Sequence, residues 1–163
     1  MIVFFFFLRD LIALLPQHNG FTVRYDWGSQ DVLNKSLLLK STQNKYPLIW
    51  LVNNTVTYDR ISNKSRSKTR LVFATQTDDK DQLNNFQYQT SYSNILIPVY
   101  ENFIKLMDRS GITMIIGSNS EYQLRPNYSV NENGKGLITI WNALVLDIEI
   151  EIQGNSCINT IKF

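Results

Sequence analysis

The residues best placed to do chemistry in this sequence are four cations at every second position, Lys64, Arg66, Lys68 and Arg70. Side chains two residues apart in an extended strand point to the same face, so this spacing predicts a continuous basic strip. Such a strip attracts phosphate groups without distinguishing bases, which makes sequence-independent contact with DNA one candidate role. A solvated strand edge that its cations protect from aggregation is a second candidate, and contact with a protein is a third.

A matching acidic strip lies in the alternating segment Leu144–Ile152. Its carboxylates are Asp147, Glu149 and Glu151, again two residues apart, and isoleucines occupy positions between and after them. The alternation predicts a strand with one acidic and one apolar face, the acidic face being solvated or paired with a partner's cations. A basic and an acidic strip on one chain are typical of head-to-tail assembly. The acidic face of a neighbouring copy is therefore a candidate intersubunit partner for the basic strip.

Patterns for catalysis and metal binding are weak elsewhere in the sequence. One histidine, His18, and one cysteine, Cys157, exclude an intrachain disulfide and any zinc site built from several such ligands within this sequence. The acidic segment 78–81 lacks the glycine and glutamate spacing of a calcium loop, and the segment 134–136 lacks the hydroxyl residue of a phosphate-binding loop. We therefore predict no catalytic residue, no metal ligand and no cofactor, and a protein that is not an enzyme.

Length and charge indicate one ordinary folded domain. The chain has 163 residues, 44% of them hydrophobic, and its 16 basic and 14 acidic residues leave a net charge of +2. This length and apolar fraction suffice for a hydrophobic core, and the charge is too balanced to indicate nucleic-acid binding by itself. Residues 1–163 are predicted to form a single domain with a basic arm near 59–70 and a polar loop near 117–136.

The most apolar segment is Met1–Leu8. It is shorter than the roughly 20 apolar residues of a membrane span, and no charged side chain precedes it as in a signal peptide. We interpret it as the start of a buried amphipathic helix that carries Arg9 and Asp10 on its polar face and ends before Gly20. No membrane association is predicted, although an anchor formed by residues 1–15 is the alternative interpretation.

Strand patterns and one strong helix pattern fill the rest of the sequence. Strands are predicted at 21–27, 47–52, 71–75, 112–116, 137–141 and 144–152. Apolar positions three and four residues apart predict a helix through Met107, capped by Ser91 or Ser93. No regular element is predicted for residues 32–46. The order of elements predicts an α+β fold in which an antiparallel sheet packs against an N-terminal helix and a central helix.

This order resembles that of the tail-terminator and head–tail connector proteins of tailed bacteriophages. The similarity covers roughly residues 4–110 and 137–152. It is carried by a central strand (Tyr46–Leu51), a long arm before the next strand (Leu71–Ala74), a helix (Ile95–Ile104) and a final alternating strand (Leu146–Ile150). A composition rich in Asn, Ile and Lys further resembles that of neck proteins from crAss-like phages.

The resemblance implies a tail-terminator-like fold and a virion structural protein whose copies form a cyclic ring in the phage neck. Such a homo-oligomeric ring lies between portal and tail, seals the junction and surrounds the DNA channel. Its neighbours would be portal, connector or tail proteins, and assembly would take place in the host cytoplasm. The alternative function is a small metal-dependent phage nuclease or another carboxylate-based enzyme, which requires two or three acids converging in a pocket.

Overall fold

The computed structural model describes residues 2–38, 47–52, 56–77, 88–110, 113–116, 122–126, 128 and 140–153. In these ranges the helices are α1 (Ile2–Ile12), α2 (Gln30–Leu38), a π-helix (Tyr88–Leu96) and α3 (Ile97–Ser110). The strands are β1 (Arg24–Gly28), β2 (Leu48–Val52), β3 (Val56–Asp59), β4 (Lys64–Thr77), β5 (Thr113–Ile116), β6 (Gln123–Arg125) and β7 (Ile140–Gln153). Helices with a mostly antiparallel sheet confirm the predicted α+β class.

The strands of the described ranges form one sheet, and its longest element is the antiparallel pair of β4 and β7. Each of these strands has 14 residues, and their register runs from Lys64 opposite Gln153 to Thr77 opposite Ile140. At about 3.4 Å per residue the pair is about 45 Å long. Along β4, β3 pairs with the first half and β2 with the second, while β5 and β6 pair with β7 on its other side.

Strand β1 pairs with β2 in parallel, and α2 lies between them in the sequence. Parallel neighbours need a crossover connection, which gives a physical reason for a helix in this segment. The Ser29 hydroxyl accepts a hydrogen bond from the Val32 N–H at 3.3 Å, as an N-cap does, and α2 buries Leu33 and Leu37. The prediction of no regular element at 32–46 is wrong for residues 32–38, and residues 39–46 lie outside the described ranges.

Each face of the sheet buries its own hydrophobic cluster. Because side chains alternate along β4, Leu71 and Phe73 pack with α1, the π-helix and α3, whereas Val72 and Ala74 pack with α2. Both faces are therefore covered around β2, where Leu48–Leu51 are all buried. This confirms the predicted central strand at 47–52.

Two buried indoles attach α2 to the sheet. Trp50 Nε1 donates to the carbonyl oxygen of Gly28, just before the helix, and Trp141 Nε1 donates to that of Leu37 in its last turn, each at 3.3 Å. The second bond gives a partner to one of the carbonyl groups that a helix end leaves unpaired. Gly28 lies so close to the first indole that a Cβ there would stand 2.9 Å from Trp50 Cζ2.

The N-terminal segment forms the predicted helix, with Leu8 and Leu11 buried and Arg9 and Asp10 exposed. No helix in the ranges that the structure describes is long and apolar enough to cross a membrane. Helix α1 ends at Ile12, before Gly20 as predicted. Gly20 is not next to the helix end but lies in the turn that follows. Asn19 and Gly20 have φ angles of 50° and 80° and form the two-residue turn of a tight hairpin.

Four further features differ from the predictions. The predicted arm and the strand at 71–75 form one strand, β4, and the segments around 140 and 144–152 form one strand, β7. Ser91 and Ser93 lie inside the π-helix instead of capping α3, and the buried Ser91 hydroxyl accepts a hydrogen bond from Asn142 Nδ2 at 3.0 Å. Strand β6 lies within the predicted polar loop 117–136, most of which is outside the described ranges.

Tyr92→Phe is expected to raise the free energy of unfolding by about 1 kcal/mol. The hydroxyl groups of Tyr25 and Tyr92 are buried without a hydrogen-bond partner among the described residues, and burial raises the pKa of both above 10.0. Above pH 10 the Tyr92 hydroxyl ionises more readily in the unfolded state than in the folded state. The wild type should therefore lose stability relative to the variant as the pH rises. Urea denaturation at pH 7 and pH 10.5 measures both effects. The exposed Tyr88→Phe is the matched control, and a loss of stability in Tyr92→Phe would show a missed partner.

Gly28→Ala is expected to destabilise the fold by about 1–3 kcal/mol, because the added methyl group collides with the Trp50 indole. The free energy of urea unfolding measures the change. Adding Trp50→Phe to this variant removes the colliding atom, so the second substitution should cost less in the Gly28→Ala background than alone. Equal costs in both backgrounds would contradict the collision.

Candidate interaction surfaces

The register of β4 and β7 places the basic strip beside the acidic strip. Opposite residues are Arg66 and Glu151, Lys68 and Glu149, and Arg70 and Asp147. We call these six residues together with Lys64 the charged ladder. Because Val72 and Ala74 continue the same alternation and pack with α2, the ladder lies on the α2 side of the sheet, beyond the apolar cluster.

The ion pairs of the ladder differ in geometry. Glu151 binds two cations, with Lys64 Nζ at 2.6 Å from one carboxylate oxygen and Arg66 Nε at 2.5 Å from the other. Arg70 donates two hydrogen bonds to Asp147, from Nε at 2.7 Å and from Nη2 at 3.1 Å. Lys68 is the loosest member, since its side chain is 84% exposed and its Nζ lies 3.9 Å from Glu149.

These contacts favour the ionised forms of Glu151, Asp147 and Arg70. Hydrogen bonds from Lys64 and Arg66 hold the pKa of Glu151 below its usual value of 4.5. The hydrogen bond from Arg70 likewise lowers the pKa of Asp147 below 3.8, and the same bond raises the pKa of Arg70.

The structure therefore gives the basic strip acidic partners within its own chain. Four cations and three carboxylates leave the ladder with a net charge of +1, which weakens its attraction for phosphate compared with a free basic strip. Contact of Lys64, Arg66, Lys68 and Arg70 with DNA stays a prediction. So does pairing of Asp147, Glu149 and Glu151 with another copy.

The hairpin that joins β3 to β4 presents an apolar side chain to solvent. Ile61, in the turn at residues 60–63, is 99% exposed, and Tyr58 beside it on β3 is 58% exposed. The turn is held by Asp59, whose carboxylate accepts hydrogen bonds from the Ile61 N–H at 2.9 Å and the Ser62 hydroxyl at 2.6 Å. We call Tyr58 and Ile61 the apolar tip.

A half-open cleft of about 310 Å³ lies at the opposite end of β4. Among the described residues, apolar side chains line it together with polar groups from the α1–β1 turn and the end of β4: Phe21, Pro47, Ile95, His18, Asn19, Thr75 and Gln76. We call it the β4-end cleft. Its apolar wall includes Phe21, which is 46% exposed.

His18 joins the α1–β1 turn to the π-helix at this cleft. Its Nε2 lies 2.5 Å from the carbonyl oxygen of Asn94. Since a carbonyl accepts, Nε2 must carry the hydrogen, so His18 donates a side-chain hydrogen bond to the backbone of the π-helix.

The residues considered for metal or phosphate binding are not brought together in what the structure describes. Within the described ranges, no three His, Cys, Asp or Glu side chains form a group that could hold a metal ion. Cys157 and the segments 78–81 and 134–136 lie outside those ranges. A comparison with protein-family models and one with curated proteins both find no match to this sequence.

The sequence indicated the residues of the charged ladder but missed the apolar tip and the β4-end cleft. One feature of the sequence pointed to the cleft. Asn19-Gly20 is a typical hairpin turn, which brings Phe21 back beside His18.

A double-mutant cycle on Arg70 and Asp147 is expected to give a coupling free energy of about 0.2–1 kcal/mol, since both side chains are largely solvated. The pKa of Asp147 is lowered in the folded state, so the coupling is present above pH 4 and is lost as the pH falls through the folded-state pKa. Urea denaturation of the alanine variants at pH 7 and pH 2.5 measures it.

The matched control is the same cycle on Lys68 and Glu149, whose charged groups are 3.9 Å apart. Its coupling should be the smaller of the two, and 1 M NaCl should reduce both. A Lys68–Glu149 coupling equal to that of Arg70 and Asp147 would contradict the ranking by geometry.

Proposed function

We propose that this protein is a structural subunit whose copies assemble into a cyclic ring in the neck of a tailed bacteriophage. In this role it acts as a tail-terminator or head–tail connector protein between portal and tail. The ring seals the junction and encloses the DNA channel. The resemblance in element order supports the phage assignment, and the exposed apolar tip supports assembly.

The single observation that carries the proposal is the fully exposed Ile61 beside a largely exposed Tyr58. Scattered apolar side chains on a surface are ordinary, but these two share one hairpin whose turn is fixed by hydrogen bonds to Asp59. Aromatic and aliphatic side chains held on a defined turn are suited to insertion into a protein surface. Such a tip can form a contact between the subunits of an assembly.

The charged ladder supports the same role. Its ion pairs join the first half of β4 to β7 in addition to the backbone hydrogen bonds between these strands. The same half of β4 also pairs with β3. The apolar tip is thus held at the end of a supported sheet. A net charge of only +2 lets identical copies approach without strong repulsion.

Contact with packaged DNA is part of the proposal, through the basic side of the charged ladder. Lys68 is its most available cation because it is the most exposed and lies furthest from its carboxylate. The nuclease alternative is not favoured by any observation on the described residues, where the acids of β7 face the cations of β4.

The test is the mass and shape of the purified full chain. We expect light scattering to give a discrete mass several times 19.0 kDa, and negative-stain microscopy to show closed, hollow rings. Incubation with Mg²⁺ or Mn²⁺ and plasmid DNA should cause no cleavage. A monomer at all concentrations up to about 100 µM, or metal-dependent cleavage that purifies with the chain, would contradict the proposal.

A further inference from the structure

We propose that neighbouring copies dock by inserting Ile61 of one copy into the β4-end cleft of the next. This inference rests on the proposed ring and names the contact that builds it. Five features of the structure support it: the exposure of the tip, the lining of the cleft, their separation, the polar groups around each and the single direction of the contact.

The apolar tip presents exposed apolar surface that a partner could bury. Ile61 is 99% exposed, and its backbone N–H is fixed by the Asp59 carboxylate, so the side chain is presented before any partner arrives. A turn whose backbone is already fixed loses little backbone freedom on binding, which favours association. Tyr58, 58% exposed on the adjoining strand, adds an aromatic side chain beside it.

The β4-end cleft has the lining and size for such a side chain. Phe21, Pro47 and Ile95 give it apolar walls, and about 310 Å³ is at the small end of the range for binding pockets. The cleft is half open, so a projecting turn can enter without a change of fold. Its walls are held in place by the His18–Asn94 hydrogen bond and by the hairpin that contains Asn19.

The tip and the cleft lie at opposite ends of one strand. Ile61 precedes the first residue of β4, Lys64, and the cleft contains Thr75 and Gln76 near its end. Eleven residues of strand between Lys64 and Thr75 separate them by about 37 Å. One chain therefore cannot insert its own tip into its own cleft, and a second copy is the occupant that the geometry allows.

Polar groups surround both apolar surfaces. Arg60 and Ser62 flank Ile61, while Asn19 and Gln76 lie at the cleft. Side-chain amide oxygens accept hydrogen bonds from a guanidinium group, so a tip that enters the cleft brings Arg60 to acceptors. An apolar anchor with polar groups around it is the usual structure of a specific protein contact.

Two different patches meeting on successive copies make a directional contact. Each subunit gives its tip to one neighbour and receives the tip of the other, and the series closes into a ring when the rotation between neighbours closes. A twofold dimer in which each copy inserts its tip into the cleft of the other would also fill both sites. Its mass would be twice 19.0 kDa, so a wild-type assembly of larger mass indicates the cyclic arrangement that the proposed function needs.

The experiment uses one variant on each side of the contact. Ile61→Asp places a carboxylate on the tip, and Phe21→Asp places one on the cleft wall at an exposed position. Each variant alone should raise the concentration needed for assembly at least about tenfold, because a charge replaces buried apolar surface. Ile61→Val and Phe21→Leu are the conservative controls and should still form rings. Circular dichroism and thermal melting verify that all four variants fold.

Mixing the two charged variants gives the decisive result. Ile61→Asp retains an intact cleft and Phe21→Asp an intact tip, so one good contact can form between them. Light scattering of the mixture should show a dimer of twice 19.0 kDa, while each variant alone stays monomeric. A mixture that stays monomeric would overturn the docking of tip into cleft.

The remaining outcomes separate this inference from the proposed function. Rings that persist in Ile61→Asp overturn the contact and leave the ring function standing. Rings lost in Ile61→Asp but kept in Phe21→Asp show that the tip docks elsewhere, which also overturns the contact. A wild type that never assembles overturns both.

Discussion

The continuous antiparallel pairing of β4 with β7 is the constraint on which the rest of this structure depends. Fourteen consecutive residue pairs fix the register, and a shift of one strand by one residue would set its apolar face beside the charged face of the other strand. In the observed register, Phe73 faces the cluster under α3, and Arg70 faces Asp147. Core packing and ion pairing therefore favour the same alignment, and each reinforces the other.

The length of this pair also explains the organisation around it. Its second half is long enough to be covered on both faces, by α1 and α3 on one side and by α2 on the other. Its first half extends beyond α2, and there the sheet face on the α2 side is charged instead of apolar. One strand thus supplies a buried centre, a solvated charged ladder and, just before its beginning, an exposed turn. The exposed parts of this strand lie where the covering helices stop.

The β4-end cleft lies where two elements far apart in the sequence meet. Residues of the α1–β1 turn and of the π-helix line it, and His18 donates a hydrogen bond to the Asn94 carbonyl between them. This contact holds the turn against the π-helix. The only histidine of the sequence thus makes a structural contact.

The sequence by itself determined the elements with strong periodicity. These are the apolar first helix, the strand at 47–52, the helix through Met107 and the two alternating charged segments. Continuous apolar runs indicate buried elements, and periods of two and near four residues follow directly from backbone geometry. It did not determine α2, whose sequence is mostly polar and whose presence follows from the parallel pairing of β1 with β2. Only the tertiary structure decided that the basic and acidic strips face each other within one chain, since strand register depends on the whole core. It also decided that Ile61 and the β4-end cleft lie at opposite ends of β4, because no local pattern shows which side chains the fold leaves uncovered.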